Sequence, residues 1–231
     1  EKTNKIGGAC HDDIANGLPI CSYGGHIFHT NSEIVWEFVN RFTKIIPYEH
    51  RVIARFGEKY YPLPINLLTL SQVLNRTFTV QEAQEFFNNL DFVGDSNFRD
   101  IGVSKISKKL YYRFFHYYTL KHWGIDPSEL PSSIFNRLPI RYNMDTRYFS
   151  DKYQGMPNLG YTDMITNILN HKNISIKFNS EIDKSLVNNE KVYFTGSIDQ
   201  YYEYKFGKLP YRSVRHEWSN EDLGCATLNH C

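Results

Sequence analysis

A chain of 231 residues, 41% hydrophobic and 22% charged, is long enough to bury a core as one large domain or two interleaved ones. A net charge of +1 excludes a global field that would draw it to nucleic acid or to an anionic membrane. Seventeen Tyr, sixteen Phe and three Trp exclude a solvated, disordered tail. No apolar run spans a bilayer and no secretory pattern is present, so no membrane insertion is expected. The chain opens on Glu1 rather than Met and stops at Cys231, which reads as an interior piece of a longer protein.

In chain order, Glu1 to Gly8 is polar and ends in paired glycines, a loop. Asn31-Ser32 precede a run of Ile34, Val35, Phe38, Val39, Phe42, Ile45 and Ile46, which predicts a helix stopped by Pro47. Alternation from Arg51 to Leu63 about Gly57-Glu58 predicts a β-hairpin. Thr79-Val80-Gln81-Glu82 is a capping box. A single helix is predicted from about Val103 to Trp123, then a short helix or turn from Pro127 to Asn136. Gly160 to His171 is amphipathic, and strands are predicted at Ile174–Phe178, Lys191–Thr195 and Tyr211–Trp218. The order is mixed α and β, with no internal repeat.

Cys10, Cys21, Cys225 and Cys231 lack metal or dithiol spacing and read as free thiols of a reducing compartment. The nine His form no ligand set, so no metal is expected. Four features carry possible chemistry. Tyr23-Gly24-Gly25-His26 is either a plain turn or a Cβ-free platform for a flat ligand. Glu1 ahead of Gly7-Gly8 matches the acid that accepts from an adenosine ribose, but the glycine-rich turn that should precede it is not there. Phe114 to Trp123 is either a core stripe or a base-stacking, hydroxyl-rich pocket. Arg137 and Arg141, set in apolar text, suit a pyrophosphate or a surface ion pair equally.

Together these strings resemble the bacterial UDP-galactopyranose mutases. The resemblance covers essentially the whole chain: Tyr23-Gly24-Gly25-His26-Ile27-Phe28-His29-Thr30, Leu63-Pro64-Ile65-Asn66, Tyr118-Thr119-Leu120-Lys121-His122-Trp123-Gly124, Arg137-Leu138-Pro139, Tyr153-Gln154-Gly155-Met156-Pro157 and Gly160-Tyr161-Thr162. It implies an isomerase in which N5 of reduced FAD attacks the galactose anomeric carbon, interconverting UDP-galactopyranose and UDP-galactofuranose. It further implies a cytoplasmic homodimer, in galactofuranose biosynthesis for surface polysaccharide.

The implied architecture is α/β: an incomplete Rossmann-like FAD domain, an inserted helical substrate domain and a twisted antiparallel sheet. The boundaries expected are 1–62 for the partial FAD domain, 63–136 for the helical substrate domain, and 137–231 for the sheet, the mobile loop and the return to the FAD domain. By resemblance, Glu1, Lys2, Gly7, Gly8, Gly24, Gly25, His26, Ile27 and Ile176 meet FAD, with His29 close by. Asn66, Phe114, Phe115, Tyr118, Thr119, Trp123, Met144, Tyr148 and Asn229 meet the nucleotide sugar, and Arg137 closes on its diphosphate. Arg137, His26 and His29 are the residues implied at the reaction.

The GxGxxG unit of the family does not precede Glu1, and Ala9 stands where relatives often carry a polar residue. The expectation is therefore a chain that binds FAD poorly and turns over little. The alternatives are another flavin-dependent oxidoreductase, or a silent UDP-sugar-binding remnant. In the full-length protein, Arg137→Ala is expected to cripple turnover while flavin stays bound, which a mutase assay beside a flavin spectrum reads directly.

Overall fold

The computed structural model describes residues 1–137, 139–182, 191–211, 213 and 228–230, without the side chains of residues 136, 137 and 228–230. Asn16-Gly17, both at positive φ (52° and 78°), make the two-residue turn between β1 (Asp12–Ala15) and β2 (Leu18–Cys21). Asp12 lies opposite Cys21 in this antiparallel ladder. After β3 (Phe28–Thr30), the Ser32 hydroxyl accepts from the Val35 N–H to start α1 (Glu33–Val39). That helix stops at Val39 instead of reaching Ile46. The Asn40 side chain donates to the Trp36 carbonyl at 2.8 Å, and Ile45–Pro47 is extended as β4.

The predicted hairpin is present: β5 (Val52–Phe56) and β6 (Lys59–Leu63) turn about Gly57, at φ 60°, with Ala54 opposite Tyr61. Two capping boxes follow. Asn66 and Thr69 start α2 (Leu67–Leu74), and Thr79 and Glu82 start α3 (Val80–Asn88). The single helix predicted over 103–123 is three: α4 (Phe98–Ile106), α5 (Lys108–Phe114) and α6 (His116–Trp123). Ser107, at φ 78°, breaks the first junction, and Phe115, at φ −118°, the second. The break at Ser107 folds α5 back on α4. There a Cβ on Gly102 would meet the Tyr111 ring at 2.6 Å and the Phe135 ring at 2.9 Å, so only glycine permits the approach.

Two 3₁₀ turns, Pro127–Glu129 and Ser132–Arg137, occupy the segment predicted as helix or turn. Then come β7 (Tyr153–Pro157), α7 (Gly160–Leu169), α8 (Ile198–Tyr201) and β8 (Leu228–His230). β7 lies between β3 and β4, and β8 pairs parallel to β5. Neither Ile174–Phe178 nor Lys191–Thr195 is a strand. The first runs extended into backbone hydrogen bonds with residues 1–3: Glu1 N to Lys177 O, 3.0 Å; Ser180 N to Glu1 O, 3.0 Å; Asn179 N to Thr3 O, 3.1 Å. The strand predicted at Tyr211–Trp218 lies outside the described residues except for 211 and 213.

The fold is thus mixed α/β, and it divides into two compact units. The first comprises residues 1–46 and 155–218, the second 47–154 and 219–231. The hairpin β5–β6 and the segment 137–154 group with the helices, whereas the sequence boundaries put the hairpin in the first domain and that segment in the third. The core of the second unit joins Ala54 and Tyr61 of the hairpin to Leu70, Ile106, Leu110, Tyr111 and Phe114. Each apolar side chain fully buried here contributes about 1.5–3 kcal/mol.

The first unit has a smaller core of Val39, Ile45, Tyr161 and Met164. Ile165 and Ile168, on the predicted apolar face of α7, pack against it. Its second anchor is polar. The Asp12 carboxylate, 5% exposed, accepts from the Tyr161 N–H at 2.5 Å and the Thr162 N–H at 3.2 Å, at the N-terminus of α7. The Thr162 hydroxyl returns a bond to the Asp12 carbonyl at 3.1 Å. Gly160, at φ 88°, is required: a Cβ there would stand 2.7 Å from the Asp12 Cγ. Asp12→Ala strands two N–H groups, so unfolding free energy should fall by about 1–3 kcal/mol in urea denaturation. Asp13→Ala, at a largely exposed side chain, should shift it less.

Candidate functional site

In the first unit, a pocket of about 320 Å³ is lined by Glu1, Thr3, Lys5, Gly8, Ala9, His11 and Tyr23. Two of the predicted cofactor residues, Glu1 and Gly8, therefore share it. Glu1 presents an oriented carboxylate: its Oε1 accepts from the Thr3 N–H at 2.9 Å and the Thr3 hydroxyl at 2.8 Å, which lowers its pKa below the ordinary carboxylate value. Lys2 points its charge elsewhere, onto Glu181 at 2.7 Å. Gly7, at φ 103°, sits against the His11 backbone and turns the chain into the 3₁₀ segment Gly8–Cys10. A Cβ built on Gly8 or on Gly25 meets nothing within 4 Å, so both backbones face open space.

Gly24, at φ 99°, turns the chain so that its carbonyl lies 2.8 Å from His26 Nδ1. A carbonyl only accepts, so Nδ1 carries the hydrogen in this contact. Ile27 is half-buried, and His29 is an exposed residue of β3. Ile176, 40% exposed, lies in the segment whose backbone bonds to residues 1–3.

His11 and Asp12 were not singled out from sequence. His11 Nδ1 meets the Ile6 carbonyl at 2.8 Å and its Nε2 meets Asp13 at 3.2 Å, fixing the floor of the pocket. Asp13 is held to about 2 by bonds from Ser22 first, then Lys5 and His11.

In the second unit, the loop 141–148 carries Met144 and Tyr148 and is stitched down along its length. The Arg141 N–H donates to the Ile65 carbonyl at 2.9 Å, and the Leu67 N–H to the Asn143 carbonyl at 3.0 Å. The Asn66 Nδ2 donates to the Asp145 carbonyl at 3.3 Å, while its Oδ1 caps α2. Asn66 is 1% exposed, so it supports the loop from beneath. The Arg141 guanidinium donates to the carbonyls of Arg147 and Tyr148 and stands 3.9 Å from the Asp145 carboxylate, clamping the loop. Arg147 grips Asp145 through Nε and Nη2 at 2.8–3.1 Å. So held, Met144 (59% exposed) and Tyr148 (41%) stand at the surface.

The aromatic stretch separates into layers. Phe114 is 2% exposed and meets Tyr61 edge-on at 5.3 Å, a core position. Phe115 packs edge-on with Phe135 at 5.6 Å, and Thr119 is buried. Phe114 closes α5 and Tyr118 lies beyond the junction in α6, where it is only half-buried. Tyr118 stacks on His122 at 4.9 Å and 20°, and Trp123 is 38% exposed at the end of α6. Arg137 ends the second 3₁₀ turn, and its side chain lies outside the described set, as does that of Asn229 in β8.

The family profile described as "GLF: UDP-galactopyranose mutase" matches residues 113–230, just over half the chain, from the aromatic helix to β8. The chain belongs to the UDP-galactopyranose mutase family. It is 39% identical to the probable UDP-galactopyranose mutase of Klebsiella pneumoniae, over 100% of this chain and 62% of that protein. It is 36% identical to the dTDP-fucopyranose mutase of Escherichia coli, over 98% of this chain and 64% of the relative. The UDP-galactopyranose mutase of Mycoplasma pneumoniae is 29% identical over 94% and 60%. The chain thus spans a little under two thirds of the relatives' length. Among the described residues no cluster suits a metal ion, and no helix is long and apolar enough to cross a membrane.

Within this mutase-family chain the loop 141–148 should be acid-sensitive. The Arg147 hydrogen bonds hold Asp145 to about 2, below its ordinary 3.8. A lowered carboxylate stabilises the folded state above its unfolded value, and that contribution disappears as pH falls from about 4 to about 2. Hydrogen exchange at residues 143–148 should accelerate over that window in the native chain. Asp145→Asn should exchange faster already at neutral pH, with a flatter acid response.

Proposed function

We propose that this chain carries the flavin and nucleotide-sugar sites of a UDP-galactopyranose mutase, an isomerase that interconverts UDP-galactopyranose and UDP-galactofuranose. The observation that carries the reading is identity of 39% over the whole chain, with the family profile covering the aromatic helix and the Arg137 turn. The cofactor is FAD, acting reduced. The first unit suits it: an ionised, oriented Glu1 for a ribose diol in a pocket that Gly8 also lines, and Cβ-free backbone with open space at Gly8 and Gly25 for a flat ring. By the family resemblance Lys2, Gly7, Ile27 and Ile176 are further cofactor contacts, and His26 and His29 are at the reaction. When bound, reduced FAD supplies a nucleophilic ring nitrogen for the anomeric carbon.

The chain's own residues bind and orient the substrate. Tyr118, backed by His122, and Trp123 give aromatic faces for the uracil. Thr119 and Asn229 serve the ribose and uridine, and Met144 and Tyr148 close the pocket from the clamped loop. Arg137 forks onto the diphosphate, whose departing charge it stabilises. Phe114, Phe115 and Asn66 form the wall behind. On this reading the first unit is an incomplete Rossmann-like FAD domain and the helices from α2 onward an inserted substrate domain. The protein is a homodimer in the reducing cytoplasm, where Cys10 and Cys21 stay free.

Dithionite-reduced FAD and UDP-galactopyranose, followed by chromatography of the sugar nucleotides, test the assignment. UDP-galactofuranose is expected, with no net oxidation of the sugar; oxygen uptake with an oxidised sugar would overturn it. The 36% identity to a dTDP-fucopyranose mutase favours one second reading, a dTDP-6-deoxyhexose substrate. The same assay with dTDP-fucopyranose separates the two by their kcat/KM ratio.

A further inference from the structure

The His50 imidazole is enclosed by rings from two segments. Tyr148 meets it edge-on at 5.8 Å, Phe149 lies nearly parallel at 6.2 Å and 29°, and Tyr48 approaches at 5.9 Å with its hydroxyl 3.2 Å from Nδ1. The same residue holds Tyr148 through the main chain: the Tyr148 N–H donates to the His50 carbonyl at 2.6 Å. Tyr148 is 41% exposed, so its outward ring is oriented chiefly from behind. We propose that His50 is a positioning residue: its uncharged ring fixes Tyr148 for the nucleotide sugar, and protonating it loosens that ring. This rests on reading Tyr148 as a substrate contact.

The chemistry of the enclosure favours the uncharged form. A neutral imidazole can accept the Tyr48 hydroxyl at Nδ1, whereas a protonated ring has two donors and cannot. Burial alone lowers the ionisation of His50 below its ordinary 6.5. The charges around it are paired with one another. Glu49 bridges Arg51 at 2.7 Å and Arg147 at 3.7 Å, and Asp145 holds Arg147 at 2.8 Å and Arg141 at 3.9 Å. On the following segment, the Asp151 carbonyl accepts from Gln154 and Lys152 lies over the Tyr153 ring at 4.6 Å. The hydroxyls of Tyr48 and Tyr148 are the titratable groups of the rings against it.

Two measurements on the intact protein test this. UDP-galactose, which has no ionisation of its own between about pH 5 and 8, is titrated calorimetrically into the native protein, His50→Phe, His50→Gln and Tyr148→Ala. Native affinity should weaken about fivefold from about pH 7.5 to about pH 5, and both His50 variants should stay within about twofold over the range. By NMR, the Tyr148 amide should titrate with the His50 ring, at a midpoint below 6.5. If Tyr148→Ala weakens binding but the His50 variants keep the native pH profile, the positioning role is overturned and the substrate contact stands. If Tyr148→Ala binds as the native protein does, or the native protein binds nothing, the contact reading falls and His50 with it. A Tyr148 amide that ignores pH overturns the proposal independently of any ligand, and His50→Gln decides the matter if His50→Phe does not fold.

Discussion

The Asp12 carboxylate at the N-terminus of α7 is the constraint on which the first unit depends. The unit has few buried apolar residues, and α7 starts after Leu159, which offers no side-chain oxygen to its first N–H groups. A carboxylate 149 residues away in sequence supplies that cap and meets the positive end of the helix. By fixing Asp12, the cap also fixes what precedes it. His11, bonded to the Thr162 hydroxyl at 3.2 Å, and the glycine turn before it form the wall of the pocket. The geometry of this pocket is therefore set by a helix that contributes no residue to its lining.

The second unit solves the opposite problem. Its core is large, and the difficulty is to hold an exposed loop steady. Arg141 and Asn66 do so through side-chain hydrogen bonds to main-chain carbonyls and a helix cap. Polar residues that look like ligand contacts in sequence thus act beneath the surface, and the side chains left facing outward are aromatic and thioether: Tyr148, Trp123 and Met144. These suit stacking on a base, where shape and polarisability matter more than a full complement of hydrogen bonds.

Local chemistry was legible in the sequence. The hairpin about Gly57, the Thr79–Glu82 box and the apolar face of α7 all follow from residues a few positions apart. What escaped was set by distant partners or by single backbone angles. Nothing near Ser107 announces a positive φ, so the periodicity of 103–123 runs through a break that exists to let Gly102 meet Tyr111. Ile45 and Ile46 continue a helical spacing but are drawn into a strand beside β7, where Gly155 leaves room for them. The Asn16-Gly17 turn is a strong hairpin signal that was passed over. Asp12 had only an indirect sign, a helix start without a local cap. Glu1 and Gly8, cofactor positions by resemblance, share one pocket, while Phe114 and Asn66, substrate positions by resemblance, are buried, a depth that a matched motif does not report.

The division of the chain has a consequence for how it folds. The first unit is discontinuous, its two parts separated by residues 47–154, whereas that intervening stretch is nearly the whole of the second. During synthesis from the N-terminus, residues 1–46 emerge without the helix that Asp12 caps, and must wait for residues 47–154 to pass. Closing so long a loop costs little more than closing one half its length, about 0.6 kcal/mol per doubling. That cost shrinks further if the intervening residues are already compact and hold their two ends near each other. The hairpin and helices, rich in local contacts, are suited to fold first, leaving the discontinuous first unit as the later and slower event.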